Sequence, residues 1–268
     1  MYRLAWASDI HLNFCSAEVV ERFCEEIAAQ EPDGLVITGD IAESDSVGPF
    51  LYYLERMLRM DIYFVLGNHD FYYGSIAEVH RALADVRTSE HLRATYLTQS
   101  PTVQLTPSTI LIGDDGFGDA RLGDPWGSRS QLADWNYIEE LKNLRRPARI
   151  ARLQQLGDAA AERLLPKLVE ACRSPAQHIV LATHVPPFAE AARYRNLPTE
   201  DYALPWYTCD AVGHVLRDVM ALHEHKHMTV LCGHTHGKHY TRILPNLIVH
   251  TAGARYKMPD CAGVLELA

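Results

Sequence analysis

The sequence lacks the features by which several classes of protein are first recognised. Its six cysteines are scattered with no C-x-x-C pair among them, so neither a zinc knuckle nor a disulfide framework is indicated. No apolar run approaches the ~20 residues that a membrane helix needs. The N-terminus reaches its first carboxylate, Asp9, too soon for a signal peptide. We therefore expect a cytoplasmic protein without a membrane partner.

Positive charge is also in short supply. The chain has 25 Lys and Arg against 34 Asp and Glu, which gives a formal net charge of −9. Nucleic-acid polymers and anionic membranes reward a basic face, so this balance argues against both as partners. Internal repeats, low-complexity tracts and Pro/Gly/Ser linkers are absent as well. We expect one domain over residues 1–268, while the sequence gives no indication of the oligomeric state.

Apolar runs of strand length alternate with segments of helical period through the first 90 residues, which is typical of βαβ units. Strands are predicted at 3–8, 35–38, 62–66, 179–183, 229–232, 240–244, 247–251 and 264–267. Helices are predicted at about 16–30, 49–60, 75–87 and 147–172. Two irregular segments, near 114–146 and 185–207, are candidate substrate caps, because long loops in compact domains are usually functional.

Polar residues follow the predicted strands in five short motifs. They are Asp9-x-His11, Gly39-Asp40, Gly67-Asn68-His69-Asp70, His184 and Gly233-His234-x-His236. In an open α/β sheet such loops converge at the carboxyl edge, so residues far apart in the chain can share one cleft. Each motif alone is commonly a turn or a core histidine. Together they supply the carboxylate, imidazole and amide groups that a borderline-to-hard metal ion prefers.

The ordered set of motifs resembles the signature of the calcineurin-like metallophosphoesterases, and it spans residues 9–236. The resemblance implies an α/β fold, a four-layer α/β/β/α sandwich of two stacked mixed sheets flanked by helices. It implies a first metal ion held by Asp9, His11, Asp40 and His236, and a second held by Asp40, Asn68, His184 and His234. Asp40 would bridge the two ions. We expect Mn²⁺ or Fe, with Zn²⁺ as an alternative, because imidazole is softer than Mg²⁺ prefers.

The reaction implied by the resemblance is hydrolysis of a phosphoester by in-line attack of a hydroxide that bridges the two metal ions. His69 is the member of its motif that the family does not use as a ligand, and it would protonate the leaving group. Asp70 would fix the tautomer of His69 and favour its charged form. His69 and Asp70 are therefore the predicted catalytic residues. The alternative for His69 is a hydrogen bond to the scaffold alone.

Differences between this sequence and the motifs of individual subfamilies narrow the range of expected substrates. The run from Gly39 to Ser44 lacks the arginine of the protein Ser/Thr phosphatases, and Glu43 stands where purple acid phosphatases carry a tyrosine ligand. What remains resembles the class III cyclic-nucleotide phosphodiesterases and similar bacterial members. We predict a small phosphorylated substrate, a phosphodiester such as a cyclic nucleotide. The alternatives are a phosphomonoester, a short single strand of nucleic acid, or a metal-stabilised binding module without turnover.

Candidate lid residues lie in the two irregular segments. They are Phe117, Arg121, Trp126, Arg129, Arg193, Tyr194, Arg195 and Trp206. Arginine can grip phosphate bidentately and an aromatic ring can stack on a base. The alternative is that these arginines are surface charges and the aromatic residues anchor a long loop. A further run, His223-x-His225-x-His227, is predicted to be an exposed helix end and not a metal site.

Overall fold

The computed structural model describes residues 1–86, 93–194 and 197–268. The helices are α1 (Ala17–Ala29), α2 (Val47–Leu58), α3 (Ile76–Val86), α4 (Asp134–Tyr137), α5 (Arg146–Arg173), α6 (Leu204–Tyr207) and α7 (Asp210–Leu222). The strands are β1 (Tyr2–Ala7), β2 (Gly34–Thr38), β3 (Asp61–Val65), β4 (Ala94–Tyr96), β5 (Val103–Thr106), β6 (Thr109–Gly113), β7 (His178–Ala182), β8 (Arg193–Tyr194), β9 (Leu197–Pro198), β10 (His227–Cys232), β11 (His239–Leu244), β12 (Leu247–Thr251) and β13 (Gly263–Leu267). Single 3-10 turns lie at Leu12–Phe14, His69–Phe71, Leu97–Gln99 and Ala189–Ala191.

The predicted helices and strands are confirmed, with bounds that differ by one or two residues; Arg87, the predicted end of the third helix, lies outside the described residues. Helix α1 shows why the spacing of apolar residues was sufficient to predict a helix. Val20, Phe23, Cys24 and Ile27 are buried on one face, at the spacing expected of an amphipathic helix. Ser16 occupies the N-cap position as predicted, although its side chain makes no capping hydrogen bond.

Five strands and two short helices went unpredicted, and helix α7 was expected before the histidine run without bounds. Strands β4, β8 and β9 and helices α4 and α6 have only two to four residues each, too few to show a period. Strand β5 lies at a sheet edge and is partly exposed, so it has no continuous apolar face. Strand β6 is buried throughout, and periodicity does not mark a short run of that kind.

The first sheet has the strand order β13-β1-β2-β3-β4. Strands β1 to β4 are parallel, while β13 pairs antiparallel with β1 at the edge. The second sheet has the order β11-β12-β10-β7-β6-β5. Its four central strands are parallel, and both edge strands, β11 and β5, are antiparallel to their neighbours. Both sheets are therefore mixed, and each has several parallel strands that end at one edge.

The core is divided into layers by the alternation of side chains along the strands. In β1, Ala5 and Ala7 pack with residues of α1, α2 and α3 on one face of the first sheet. Leu4 and Trp6 point the other way and pack between the two sheets, against residues such as Leu231 of β10. Helices α5 and α7 cover the far face of the second sheet. The predicted four-layer α/β/β/α sandwich is confirmed.

Helix α5 also anchors the irregular segment that precedes it. Arg163 makes two hydrogen bonds to buried Asp114, at 2.8 and 2.9 Å. Arg121 pairs with Asp119 and with Asp158 of the helix. None of the helices in the described ranges is long and apolar enough to cross a membrane.

Candidate metal centre

All seven predicted metal ligands lie together where strands of the two sheets end. Asp9 and His11 follow β1, Asp40 follows β2, Asn68 follows β3, His184 follows β7, and His234 and His236 follow β10. Backbone hydrogen bonds join neighbouring loops of the first sheet, from the amide of Asp9 to Gly39 O at 3.0 Å and from that of His11 to Asp40 O at 2.9 Å. His184 Nδ1 lies 2.9 Å from Thr38 O and so joins the two sheets.

Five of these residues have a left-handed backbone. The φ angles are 51° for Asp9, 41° for His11, 52° for Asp40, 67° for His234 and 55° for His236. This conformation is uncommon outside glycine, although Asp and His adopt it more readily than most residues. It turns successive side chains out of the strand direction, toward the space between the sheet edges. Clusters of such residues are found mainly at functional sites.

Two glycines of the motifs allow the loops to approach this closely. A Cβ atom at Gly67 would clash with the Asp40 carboxylate, and one at Gly233 would clash with the Asp9 carboxylate. Neither glycine has a positive φ, so space and not backbone conformation requires glycine there. Gly67 and Gly233 are thus explained by the neighbouring acids.

Asp9, His11, Asp40 and His236 form a group whose ligand atoms all lie within 4.8 Å of one another. His236 Nε2 is 3.2 Å from Asp9 Oδ1, and His11 Nε2 is 3.7 Å from Asp40 Oδ2. Both ring nitrogens of His11 are buried and have no hydrogen-bond partner. Burying an imidazole whose nitrogens have no hydrogen-bond partner costs free energy. A metal ion bound to His11 would provide a partner for one of these nitrogens.

A second group lies on the other side of Asp40. Asp40 Oδ1 is 3.4 Å from His184 Nε2, which is 3.2 Å from Asn68 Oδ1. Because His184 Nδ1 faces the carbonyl of Thr38, that nitrogen carries the proton and Nε2 presents a lone pair. The side-chain oxygens of Asp40 and Asn68 therefore both face the same imidazole nitrogen of His184. This arrangement fits a bound cation.

Hydrogen bonds to residues outside the two ligand groups fix the orientations of the Asn68 and His234 side chains. Asn68 Nδ2 donates to Asp134 at 2.8 Å and to the Tyr72 hydroxyl at 3.2 Å, which turns Oδ1 toward His184. His234 Nε2 lies 3.2 Å from the carbonyl oxygen of Trp206, so its Nδ1 is the unprotonated nitrogen. Sequence reasoning missed Asp134 and the Trp206 carbonyl as supports of the site.

The electrostatics of the centre disfavour protons on two of its imidazoles, those of His11 and His234. Burial, reinforced by neighbouring histidines, lowers the pKa of His11 to about 2 and that of His234 to about 3. Burial and the charge of Asp9 raise the pKa of Asp40 well above its usual range. Burial acts in the same direction on Asp9, but the hydrogen bond from His236 contributes to a net lowering of its pKa. Imidazoles held neutral in this way keep their lone pairs available to metal.

His69 stands beside this centre and is held by aromatic neighbours. Its ring stacks on Tyr72 with 4.2 Å between centroids, and it meets His11 edge-on at 4.6 Å. Its Nε2 lies 4.0 Å from Asp40 Oδ2 and 3.5 Å from the Tyr256 hydroxyl. Burial is the main cause that lowers the pKa of His69 to about 4. The expectation that its surroundings favour the charged form is therefore not met.

Asp70 makes contacts other than those predicted. Its Oδ1 accepts hydrogen bonds from the amides of Ile41 and Ala42 at 2.9 and 2.8 Å, and its Oδ2 accepts one from Gly67 at 2.8 Å. In the described parts of the chain no hydrogen bond joins Asp70 to the His69 ring. The prediction that Asp70 fixes the tautomer of His69 is therefore not supported, because the carboxylate of Asp70 accepts hydrogen bonds from three backbone amides instead. Asp70 instead ties the loop that carries Asp40 to the loop that carries Asn68.

A cavity of about 710 Å³ opens above the centre. Its floor includes Asp40, His69 and His236, and its walls include the tyrosines Tyr72, Tyr194, Tyr207 and Tyr256. Tyr256 also lies over the first group, with its ring centroid 4.5 Å from that of His11. Among the described residues that line the cavity, one is an arginine, Arg255. Arg255 and Tyr256 were missed by the sequence interpretation.

The structure confirms the predicted position for some of the candidate lid residues and not for others. Tyr194 lines the cavity as predicted. Phe117 and Trp206 are buried in the core, so these two predictions are wrong: the rings anchor their segments. Arg121 is paired with Asp119 and Asp158, while Trp126 and Arg129 are exposed and outside the cavity lining.

The other candidates in these regions lie at the periphery. Arg193 is half-buried outside the cavity lining, and Arg195 lies outside the described residues. The predicted exposure of the histidine run is confirmed for His225 and His227, whereas His223 is half-buried.

Comparisons with known proteins bear on the family and the fold of the chain. A family model described as calcineurin-like phosphoesterase matches residues 2–238. No curated protein matches the sequence significantly. A phosphopantetheinyl hydrolase from Mycobacterium tuberculosis superposes with a TM-score of 0.63 at 16% identity, over 96% of this chain and 94% of that one. A dimetal phosphatase from Danio rerio superposes with a TM-score of 0.60 at 12% identity, over 96% of this chain and 88% of that one. At these identities the solved structures show a shared fold.

Proposed function

The chain belongs to the calcineurin-like phosphoesterase family, which consists of metal-dependent phosphoesterases, and from this premise we propose that it hydrolyses a small phosphodiester. One metal ion would be held by Asp9, His11, Asp40 and His236, and a second by Asp40, Asn68, His184 and His234. Two such ions supply a water-derived nucleophile at neutral pH and neutralise phosphoryl oxygens. Mn²⁺ or Fe suits this mixture of imidazole and oxygen ligands better than Mg²⁺ does.

The observation that carries the proposal is the position of Asp40. Its Oδ2 faces His11 at 3.7 Å while its Oδ1 faces His184 at 3.4 Å, so one carboxylate belongs to both ligand groups. This carboxylate is almost fully buried at the floor of the cavity. Because the ligands come from both sheets and from residues 9 to 236, we also propose that residues 1–268 act as one domain.

His69 is the proposed proton donor to the leaving oxygen. It borders the cavity next to Asp40, and its ring is held between Tyr72 and His11 without being one of the proposed ligands. The Tyr256 hydroxyl lies 3.5 Å from its Nε2 and would orient this nitrogen toward the substrate. Tyr256 is thus a positioning residue, and His69 is the catalytic residue. Proton donation matters most when the leaving group is a poor one.

The cavity supports a diester in preference to a monoester. A volume of about 710 Å³ is within the usual size of small-molecule sites and leaves room for an organic group on both sides of a phosphorus atom. Its walls offer tyrosine rings, on which an aromatic group can stack. Among the described residues of the lining, Arg255 is the single Lys or Arg available for the second charge of a monoester.

The test is hydrolysis of matched chromogenic substrates by protein reconstituted with Mn²⁺ or Fe. We expect a higher kcat/KM for bis-nitrophenyl phosphate than for nitrophenyl phosphate, followed by turnover in a screen of cyclic nucleotides. Asp40→Asn serves as the inactive control. Preference for the monoester would refute the diester assignment, and cleavage confined to short oligonucleotides would indicate a nuclease. Metal binding without turnover of any phosphoester would indicate a binding module.

A further inference from the structure

A second cavity, which we call the side chamber, adjoins the proposed active site. It has a volume of about 320 Å³ and shares His236, Ala254 and Arg255 with the lining of the main cavity. The amide of Ala254 donates to His236 O at 3.3 Å, so the loop that carries Arg255 is attached directly to the backbone of a proposed metal ligand. The side chamber therefore borders the same loop as the proposed active site, with Arg255 in the lining of both cavities.

The side chamber concentrates positive charge in a protein that has little of it. Lys238 and Arg255 both line it, and Asp260 is the one acidic residue among its described lining residues. Lys238 and Arg255 are exposed, and neither forms an ion pair with any residue in the described ranges. Their charges do reach Asp260, where they oppose the effect of burial, which raises its pKa. In a chain of net charge −9, two cations with one acidic neighbour beside a phosphoesterase centre are a local excess of positive charge.

We propose that the side chamber binds a second phosphate group of the substrate, so that the substrate is a phosphodiester with a further phosphate on one arm. Arginine can hold a phosphate through two parallel hydrogen bonds, and lysine adds a mobile point charge. The proposal rests on the proposed function and narrows its substrate class. A simple cyclic nucleotide has no group for this position, whereas a phosphorylated nucleotide diester does.

The experiment measures binding and does not depend on turnover. The probes are thymidine monophosphate and thymidine bisphosphate, titrated calorimetrically into protein loaded with Mn²⁺. We expect the bisphosphate to bind the wild type about tenfold more tightly, the effect of one good charge-assisted contact. Arg255→Gln and Lys238→Gln should each reduce this preference severalfold. Lys257→Gln is the matched control, because Lys257 is exposed, lies two residues from Arg255 and does not line the side chamber.

Equal affinity of the wild type for the two probes would overturn the proposal. So would an equal loss of preference in Lys257→Gln, since that result would mean general electrostatic attraction and no defined subsite. Raising the salt concentration separates the same two cases, because diffuse attraction is screened more strongly than a direct contact. If the proposed hydrolysis fails while the preference and its dependence on Arg255 persist, the binding subsite stands alone. If hydrolysis is found without the preference, only the subsite is refuted.

Discussion

Replacing Asp70 by asparagine tests the assignment that departs most from the sequence interpretation. Asn can keep its oxygen where the amides of Ile41 and Ala42 both point, since these two donate to the same carboxylate oxygen. Its NH₂ group must then face the amide of Gly67, which loses its acceptor. A buried donor left without a partner costs about 1–3 kcal/mol. We expect Asp70→Asn to lower the free energy of unfolding by about 2 kcal/mol.

Calorimetry and metal titration measure the two consequences. For a chain of this length a loss of about 2 kcal/mol corresponds to a fall in Tm of roughly 4–8 °C. Because the lost bond is to Gly67, the residue before Asn68, the proposed second metal site should weaken more than the first. Asp119→Asn is a suitable control: Asp119 is buried, accepts from the amides of Arg121 and Ala211, pairs with the Arg121 side chain and belongs to neither ligand group. It should lower Tm without changing metal affinity.

One result would restore the original role of Asp70. If Asp70→Asn left Tm and both metal affinities unchanged but altered the dependence of kcat on the leaving group in the way His69→Ala does, Asp70 would act through His69. The amide contacts would then be incidental. Loss of stability and of second-site affinity, with an unchanged leaving-group dependence, would establish Asp70 as the tie between the two loops.

Four further predictions concern the proposed centre. Chelation should abolish activity and added Mn²⁺ or Fe should restore it; full activity in metal-stripped protein would refute the metal requirement. Asp40→Asn should weaken binding of both ions in a titration, whereas His11→Ala should weaken one. His69→Ala should slow hydrolysis of alkyl diesters by about 10²–10⁴-fold and of nitrophenyl esters much less; equal losses would leave His69 a positioning role. Tyr256→Phe should lower kcat on alkyl diesters more than it raises KM, and a change confined to KM would make Tyr256 a binding residue.

The first layer of the centre could be predicted from sequence because a structural rule and the family resemblance point to the same residues. Parallel strands of one sheet end at a common edge, so the polar residues after β1, β2 and β3 were expected to meet, as were those after β7 and β10, and the resemblance implied that the two groups share one centre. The same rule applied to β12, which is parallel to β10, would have pointed to Arg255 and Tyr256 just beyond its end. These residues were overlooked because they belong to no recognisable motif.

The groups that orient the proposed ligands could not be predicted from the sequence, for a different reason. Asp134 comes from an irregular segment whose path is fixed by tertiary contacts, and local sequence does not encode its approach to Asn68. Trp206 acts through its carbonyl oxygen, a group that every residue has, so its identity gave no signal. The three amides that bind Asp70 are equally invisible in the sequence. A motif can name a ligand, while the atoms that orient it depend on the fold.

The left-handed backbone at five of the proposed ligands is a conformational cost that metal binding would offset. A non-glycine residue in this conformation costs up to about 1 kcal/mol, so Asp9, His11, Asp40, His234 and His236 together store at most about 5 kcal/mol. That is comparable to the whole net stability of many domains. A ligand that binds only the folded state raises stability in proportion to the logarithm of its concentration. The metal supply would then set the resistance of this chain to unfolding and proteolysis, and the metal-free protein would be the form that a cell clears first.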